Sequence, residues 1–227
     1  MRPIVLLGGT FDPPHRGHLA LLRAAGAALQ MTDDLRLLIA ADPWQKQGVT
    51  PAQDRLAMLQ LALRDDDNQA APPMSIDTRE LQRSGPSYTL DTLRGLRAEV
   101  GDGVPIVFVL GWDQWLGLPS WQGWQQLTDV AHLCIAPRAH AFGSASPALQ
   151  AWAGFRFASA QALREQPCGL LYHLPLFEQA VSSTQLRAAL AEGRDTDAAA
   201  WLHPAVLRYI QARRLYLTTP TPTPHPA

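Results

Sequence analysis

The chain has 227 residues, with 19 Lys and Arg against 20 Asp and Glu and a formal charge of −1. With 47% hydrophobic and 17% charged residues, it is too apolar for a disordered chain and too evenly charged to grip nucleic acid through a strong overall field. A chain of this size buries roughly 70–75% of its unfolded surface, so it needs no disulfide or metal staple.

Taken in chain order, the first element is an apolar run at residues 3–7 that stops at Gly8-Gly9. It predicts a buried strand ending in a glycine turn. Two prolines, Pro13 and Pro14, then forbid a helix interior but suit a loop entering a helix. Residues 15–30 read as that helix, and residues 35–40 as a second strand. Strand, glycine loop, helix and strand make a right-handed crossover, which predicts a parallel sheet. The pattern then repeats loosely. Helices are expected at 51–63, 87–100, 121–127, 182–191 and 204–214. Strands are expected at 74–77, 106–110, 131–136 and, weakly, 172–174. Alternation of this kind is α/β architecture: an open parallel sheet, Rossmann-like, with helices on both faces. Residues 139–154 are rich in Ala, Ser and Pro and read as a flexible connection or an inserted helix. One domain is expected over 1–217, followed at 218–227 by an uncharged Thr/Pro-rich tail that reads as extended and disordered.

Cys134 lies in an apolar run and Cys168 between Pro167 and Gly169, with no CxxC pattern. A reducing compartment fits this better than a disulfide framework. The N-terminal apolar run is too short for a signal peptide, and no segment approaches the ~20 apolar residues of a membrane span. The expectation is a soluble cytoplasmic protein without a membrane partner.

The sharpest constellation is Gly8-Gly9-Thr10-Phe11-Asp12-Pro13-Pro14-His15-Arg16-Gly17-His18. Paired glycines after a strand let backbone amides approach a ligand. A helix start just beyond them is a ready phosphate site. His15 and His18 share the first turn and can both donate to phosphate oxygens. Gly17 leaves room for a base or ribose. Three plainer readings compete: surface histidines, a metal held by Asp12, His15 and His18, and a simple turn. The whole string at one strand-to-helix junction speaks against all three together. Further on, Ser182-Ser183-Thr184-Gln185 reads as a helix start with a capping box. Arg187, about a turn later, can fork onto phosphate. The plain alternative is a structural cap with a surface Arg.

The eleven-residue string resembles the GGTFDPxHxGH signature of the HxGH nucleotidyltransferases. Within that class the chain is similar to the bacterial nicotinate-nucleotide adenylyltransferases. The similarity continues in Arg83-Ser84-Gly85-Pro86-Ser87-Tyr88-Thr89-Leu90-Asp91-Thr92-Leu93, in Leu110-Gly111-Trp112-Asp113 with Trp121 and Trp124, in Val181-Ser182-Ser183-Thr184-Gln185-Leu186-Arg187, and in the segment from Leu202 to Ile210. Two places depart from the family pattern. Asp42-Pro43-Trp44-Gln45-Lys46 stands where PPHK is common, and Trp112 stands where a small residue is usual.

The resemblance implies transfer of the adenylyl group of ATP to nicotinate mononucleotide, with Mg²⁺ carried mainly by ATP and no metal ligand from the protein. It implies that His18 and His15 are catalytic. Gly8, Gly9, Thr10, Phe11, Gly17, Arg138, Ser183, Thr184 and Arg187 would bind ATP and its phosphates. Lys46, Tyr88, Thr89, Gly111, Asp113 and Trp121 would bind the mononucleotide. Alternatives are another small phosphorylated acceptor (nicotinamide mononucleotide or pantetheine phosphate) and a non-catalytic nucleotide-binding module. A nucleic-acid binder, suggested by the distant likeness to the HIGH motif of class I aminoacyl-tRNA synthetases, lacks both a clear basic run and room for an anticodon domain. No nucleic-acid partner is expected, and a homo-oligomer is left open.

Overall fold

The computed structural model describes residues 2–41, 48–64, 72–83, 85, 87–137, 144–175 and 181–217. Six strands form one sheet: β1 Ile4–Gly9, β2 Leu35–Ile39, β3 Met74–Asp77, β4 Ile106–Gly111, β5 His132–Ala136 and β6 Leu171–His173. All neighbours are parallel, in the order β3-β2-β1-β4-β5-β6. The chain steps outward from β1 to β3, returns to place β4 beside β1, and steps outward the other way. That reversal opens a crevice at the C-terminal ends of β1 and β4, where open α/β sheets take their ligands.

The helices are α1 Arg16–Leu29, α2 Ala52–Arg64, α3 Thr89–Val100, α4 Trp112–Leu116, α5 Pro147–Ala153, α6 Ala160–Glu165, α7 Ser183–Ala191, α8 Asp195–Ala199 and α9 Pro204–Arg213. Successive strand residues point to opposite faces, and the cores follow that parity. Ile4, Leu6, Ile106, Phe108, Leu110, Leu133 and Ile135 face one way, under Leu90, Leu93 and Leu96 of α3 and Trp152 of α5. Val5, Leu7, Leu35, Leu37, Val107, Val109 and Cys134 face the other way, under α1 and α6. Burying one leucine is worth roughly 2 kcal/mol, more than the propensity differences among ordinary residues in a helix. The parity of the strands therefore decides which stripe of each helix is covered. A third core joins Met58 and Ala62 of α2 to Leu186, Ala198, Val206 and Ile210 of α7, α8 and α9. These C-terminal helices close over the sheet's functional end.

The opposite end of the sheet is tied by polar groups. Arg97, at the close of α3, is buried and donates to the carbonyls of Gly101, Val104, Val130 and Pro167 at 2.6–3.2 Å. His132 is also buried. Its Nε2 lies 2.8 Å from the Gln166 carbonyl, and its Nδ1 accepts from the Leu170 N–H at 3.1 Å. The ring is therefore neutral with its hydrogen on Nε2, and burial lowers its pKa.

All six expected strands are present, and α1, α2, α3, α7 and α9 lie within two residues of their expected bounds. The helix expected at 121–127 is instead a 3₁₀ segment, Trp124–Asp129, because Gly123 takes φ 64° immediately before it. Within 139–154 the helical alternative holds for α5, whose start is capped by the Ser146 hydroxyl accepting from the Leu149 N–H. The expected tail at 218–227, Lys46 and Arg138 lie outside the described residues. Among the described residues no helix is long and apolar enough to cross a membrane. Both cysteines are free, and burial pushes the Cys134 thiol up to about 12, as an inert core residue.

Candidate active site

The site is built where β1 ends. Gly8 and Gly9 still belong to the strand, paired with Leu38 and Ile39 of β2. A Cβ at Gly8 would stand 2.5 Å from the Phe108 ring, and one at Gly9 3.0 Å from the Phe11 ring. These glycines thus admit two aromatic rings beneath the crevice, a packing role that the reading of ligand approach alone did not include. Phe11 is 1% exposed with φ 52°, the left-handed region that bulky residues rarely enter. Its ring meets the His18 ring edge-on at 5.0 Å.

His15 is the N-cap of α1 rather than its first helical residue. Its ring stacks on that of His18 with centroids 3.6 Å apart. The His15 backbone N–H donates to Nδ1 of His18 at 3.2 Å. An accepting Nδ1 fixes the neutral tautomer of His18, with hydrogen on Nε2. His15 is 1% exposed and burial pushes its pKa down to about 4, so it too is neutral near pH 7. The helix start offers fewer amides than its sequence implied. The Arg16 N–H donates to the Trp201 carbonyl and the His18 N–H to the His15 carbonyl, both at 2.9 Å.

From the other side comes α7. Ser182 caps it with a reciprocal box: its hydroxyl accepts from the Gln185 N–H at 3.3 Å, and Gln185 Oε1 accepts from the Ser182 N–H at 2.9 Å. The helix is docked directly on the β1 loop. Ser183 Oγ donates to the Pro13 carbonyl at 3.0 Å, and Arg187 Nη1 to the Asp12 carbonyl at 2.7 Å. Arg187 Nη2 also reaches Thr184 Oγ1 at 3.3 Å. Both guanidinium contacts fix the fork in place before any ligand arrives.

Two cavities result. One, of about 410 Å³, is lined among others by Gly8, His15, His18, Gly111, Asp113, Trp121 and Ser183. The second, of about 300 Å³, is lined by Thr10, Phe11, Asp12, His18, Gly48, Val49, Ser183, Thr184 and Arg187. Both fall in the size range of small-ligand sites. His18 and Ser183 line both, so the two spaces meet at those side chains. The structure therefore gathers eleven of the residues singled out from sequence. Gly9 and Gly17 line neither cavity. Tyr88 and Thr89, at the head of α3, border neither cavity. Trp121 holds its ring edge-on to Phe108, with centroids 6.5 Å apart.

Two buried polar side chains brace the site through contacts that no local motif marks. Arg55 of α2 is 1% exposed. It donates to the carbonyls of Thr10, Ala40, Ala41 and Thr50 at 2.7–2.9 Å. It thereby joins the end of β1 to both flanks of the segment that carries Lys46. A helix-face Arg has no sequence mark that separates it from a solvated one. The second anchor is Asp12, 3% exposed. Its Oδ2 accepts from the Thr50 N–H at 3.2 Å and its Oδ1 from the Tyr216 hydroxyl at 2.6 Å. Both carboxylate oxygens are thus engaged by groups other than the histidines. Among the described residues no group of three or more His, Cys, Asp or Glu is placed to hold a metal ion.

A 3-2-1-4-5-6 sheet with paired histidines and a phosphate-type fork at its switch point defines a nucleotidyltransferase-like site. A family model described as Cytidylyltransferase-like matches residues 6–189. A protein of Herminiimonas arsenicoxydans named probable nicotinate-nucleotide adenylyltransferase is 39% identical over 219 residues, covering 95% of this chain and 97% of its own length. One of the same name from Pseudomonas putida is 40% identical over 220 residues, covering 95% of each. The Plasmodium falciparum nicotinic acid mononucleotide adenylyltransferase, solved with NaAD, superposes with a TM-score of 0.72 at 20% identity. It covers 95% of this chain and 98% of its own, and so shares the fold. The chain belongs to the cytidylyltransferase-like family and, within it, to the family of these nicotinate-nucleotide adenylyltransferases.

Proposed function

We propose that the protein transfers the adenylyl group of ATP to nicotinate mononucleotide, forming nicotinate adenine dinucleotide and pyrophosphate in NAD biosynthesis. The observation that carries this reading is the meeting of two cavities at His18 and Ser183, within a chain about 39% identical to relatives of that name.

The 5′-phosphate of the mononucleotide attacks the α-phosphorus of ATP, and the bond to the β-phosphate oxygen breaks. No protein nucleophile is required. The site must align the two phosphates and stabilise charge on the transferring group. His18, with its hydrogen held on Nε2 by the His15 amide, supplies a donor to the α-phosphate without first taking up a proton. His15, stacked on it and neutral, keeps the ring in position and lines the same space. Ser183, Thr184 and Arg187 grip the β- and γ-phosphates from the smaller cavity. The Thr10–Phe11 backbone borders that space, with Gly8, Gly9 and Gly17 shaping the turn behind it. Gly111, Asp113 and Trp121 hold the nucleosides in the larger cavity, and the indole of Trp121 suits a flat pyridine ring. Tyr88, Thr89, Lys46 and Arg138 complete the assignment by resemblance. Mg²⁺ enters as part of the ATP substrate, on phosphate oxygens and water, as small hard ions do. Free thiols and an ATP-dependent reaction suit the cytoplasm.

Steady-state pyrophosphate release with ATP and either nicotinate or nicotinamide mononucleotide tests the reading. A higher kcat/KM for the acid is expected. A strong preference for the amide would reassign the acceptor.

A further inference from the structure

The last described turn of the chain ends on the phosphate loop. After α9 the backbone reverses, with Arg214 at φ 52° and the Leu215 N–H donating to the Ile210 carbonyl. Tyr216, itself at φ 64°, then carries its ring over Met58 of α2, with its hydroxyl 3.9 Å from the sulfur. The same hydroxyl donates to Asp12 Oδ1 at 2.6 Å, across more than two hundred residues of sequence. Burial, and then the Asp12 carboxylate, raise the phenol's pKa, so it remains a donor at any physiological pH.

Asp12 has little freedom to move alone. Its other carboxylate oxygen is held by the Thr50 N–H, its carbonyl by Arg187, and its chain neighbour Phe11 packs against His18. A shift at Asp12 is therefore passed to the Arg187 fork on one side and to the His18 ring on the other. We propose that Tyr216 is a positioning residue, which acts through Asp12 to set the triphosphate grip. The inference rests on the assignment of the smaller cavity to the ATP phosphates. The larger cavity's acceptor side, at Asp113 and Trp121, lies outside this chain of contacts, so the effect falls on ATP and spares the mononucleotide.

A control of the same chemistry lies nearby. The Tyr209 hydroxyl of α9 donates to Asp54 of α2 at 2.7 Å, a phenol on a carboxylate that joins two helices instead of reaching the phosphate loop. Tyr216→Phe and Tyr209→Phe each delete one such bond. Both are expected to lower the melting temperature modestly. Measured at a temperature where each is folded, Tyr216→Phe should lower kcat/KM for ATP about tenfold, the scale of leaving one buried acceptor without its donor. Its KM for nicotinate mononucleotide should stay within about twofold, as should every kinetic constant of Tyr209→Phe. Asp12→Asn approaches the same bond from the other side and should shift ATP kinetics in the same direction. Unchanged ATP kinetics in a folded Tyr216→Phe would overturn the proposal, as would equal losses for ATP and mononucleotide. Failure of both Tyr216→Phe and Asp12→Asn to fold would overturn it too, by making the bond a determinant of folding. Absence of any turnover in the wild-type protein would instead sink the assignment of the reaction.

Discussion

Two buried arginines sit at opposite ends of one sheet and use the same device. Arg55 binds four backbone carbonyls at the C-terminal ends of β1 and β2. Arg97 binds four carbonyls around the N-terminal ends of β4 and β5. A planar fork of five donors suits loops that must be held without a ladder. The first set of loops borders the smaller cavity, through Thr10. The two histidines differ in the same way. At the far end His132 spends both ring nitrogens on the chain itself. At the crevice His18 accepts the His15 amide on Nδ1 and lines both cavities. Burial and hydrogen bonding thus mark neither end as functional. What separates them is the pair of cavities that the crevice histidine lines.

The widest separation is expected between the histidines. His18→Ala should lower turnover by ~10²–10³, the scale of one lost transition-state donor, with the smaller loss of stability, that of one His15 amide left unpaired. His132→Ala should do the reverse. It leaves the Leu170 amide and the Gln166 carbonyl without a partner, at roughly 2–4 kcal/mol, and leaves turnover intact below its melting temperature. Urea unfolding and pyrophosphate release on both variants decide this, and equal kinetic losses would erase the distinction. The arginines come next. Arg55→Met and Arg97→Met should each lose about 3–5 kcal/mol, because several buried carbonyls lose their donor. Only Arg55→Met should also raise the KM for substrate, since it releases the loops beside the phosphates.

A pH titration tests both ends together. His15 and His132 have folded pKa values below that of a free imidazole. The unfolded chain therefore binds more protons as pH falls below about 6.5. Stability from these groups is fully present above that pH and is lost progressively downward. For His15 the loss continues to about pH 4 and is on the order of 3 kcal/mol. Urea midpoints at pH 7 and pH 4.5 measure it. A His132→Gln variant should flatten the dependence in part, and an unaltered slope would exclude His132 as a contributor.

Much of this architecture was legible in the sequence for simple reasons. The strands alternate cleanly between two cores, and the longer helices carry enough turns to show their period. The short helices α4, α6 and α8 have five or six residues each, too few for a period to register. Trp121 lies at the end of a 3₁₀ turn, Leu118–Ser120, and Gly123, at positive φ, stands so close to Leu90 that a Cβ would overlap its side chain, a tertiary contact that no local pattern announces. At the site, the glycines, both histidines and the capping box stood out because each is a local motif. Arg55 and the Asp12–Tyr216 bond did not. Their partners are backbone carbonyls or residues far along the chain, and such pairings exist only after folding.

The central claim is attack on the α-phosphorus of ATP at the crevice between β1 and β4. It is tested most directly by following label from ATP into product, with nicotinate mononucleotide as acceptor. Label in the α-phosphate should appear in the dinucleotide, and label in the γ-phosphate should leave entirely as pyrophosphate. γ-Label recovered on the mononucleotide would mean phosphoryl rather than adenylyl transfer, and would contradict the account.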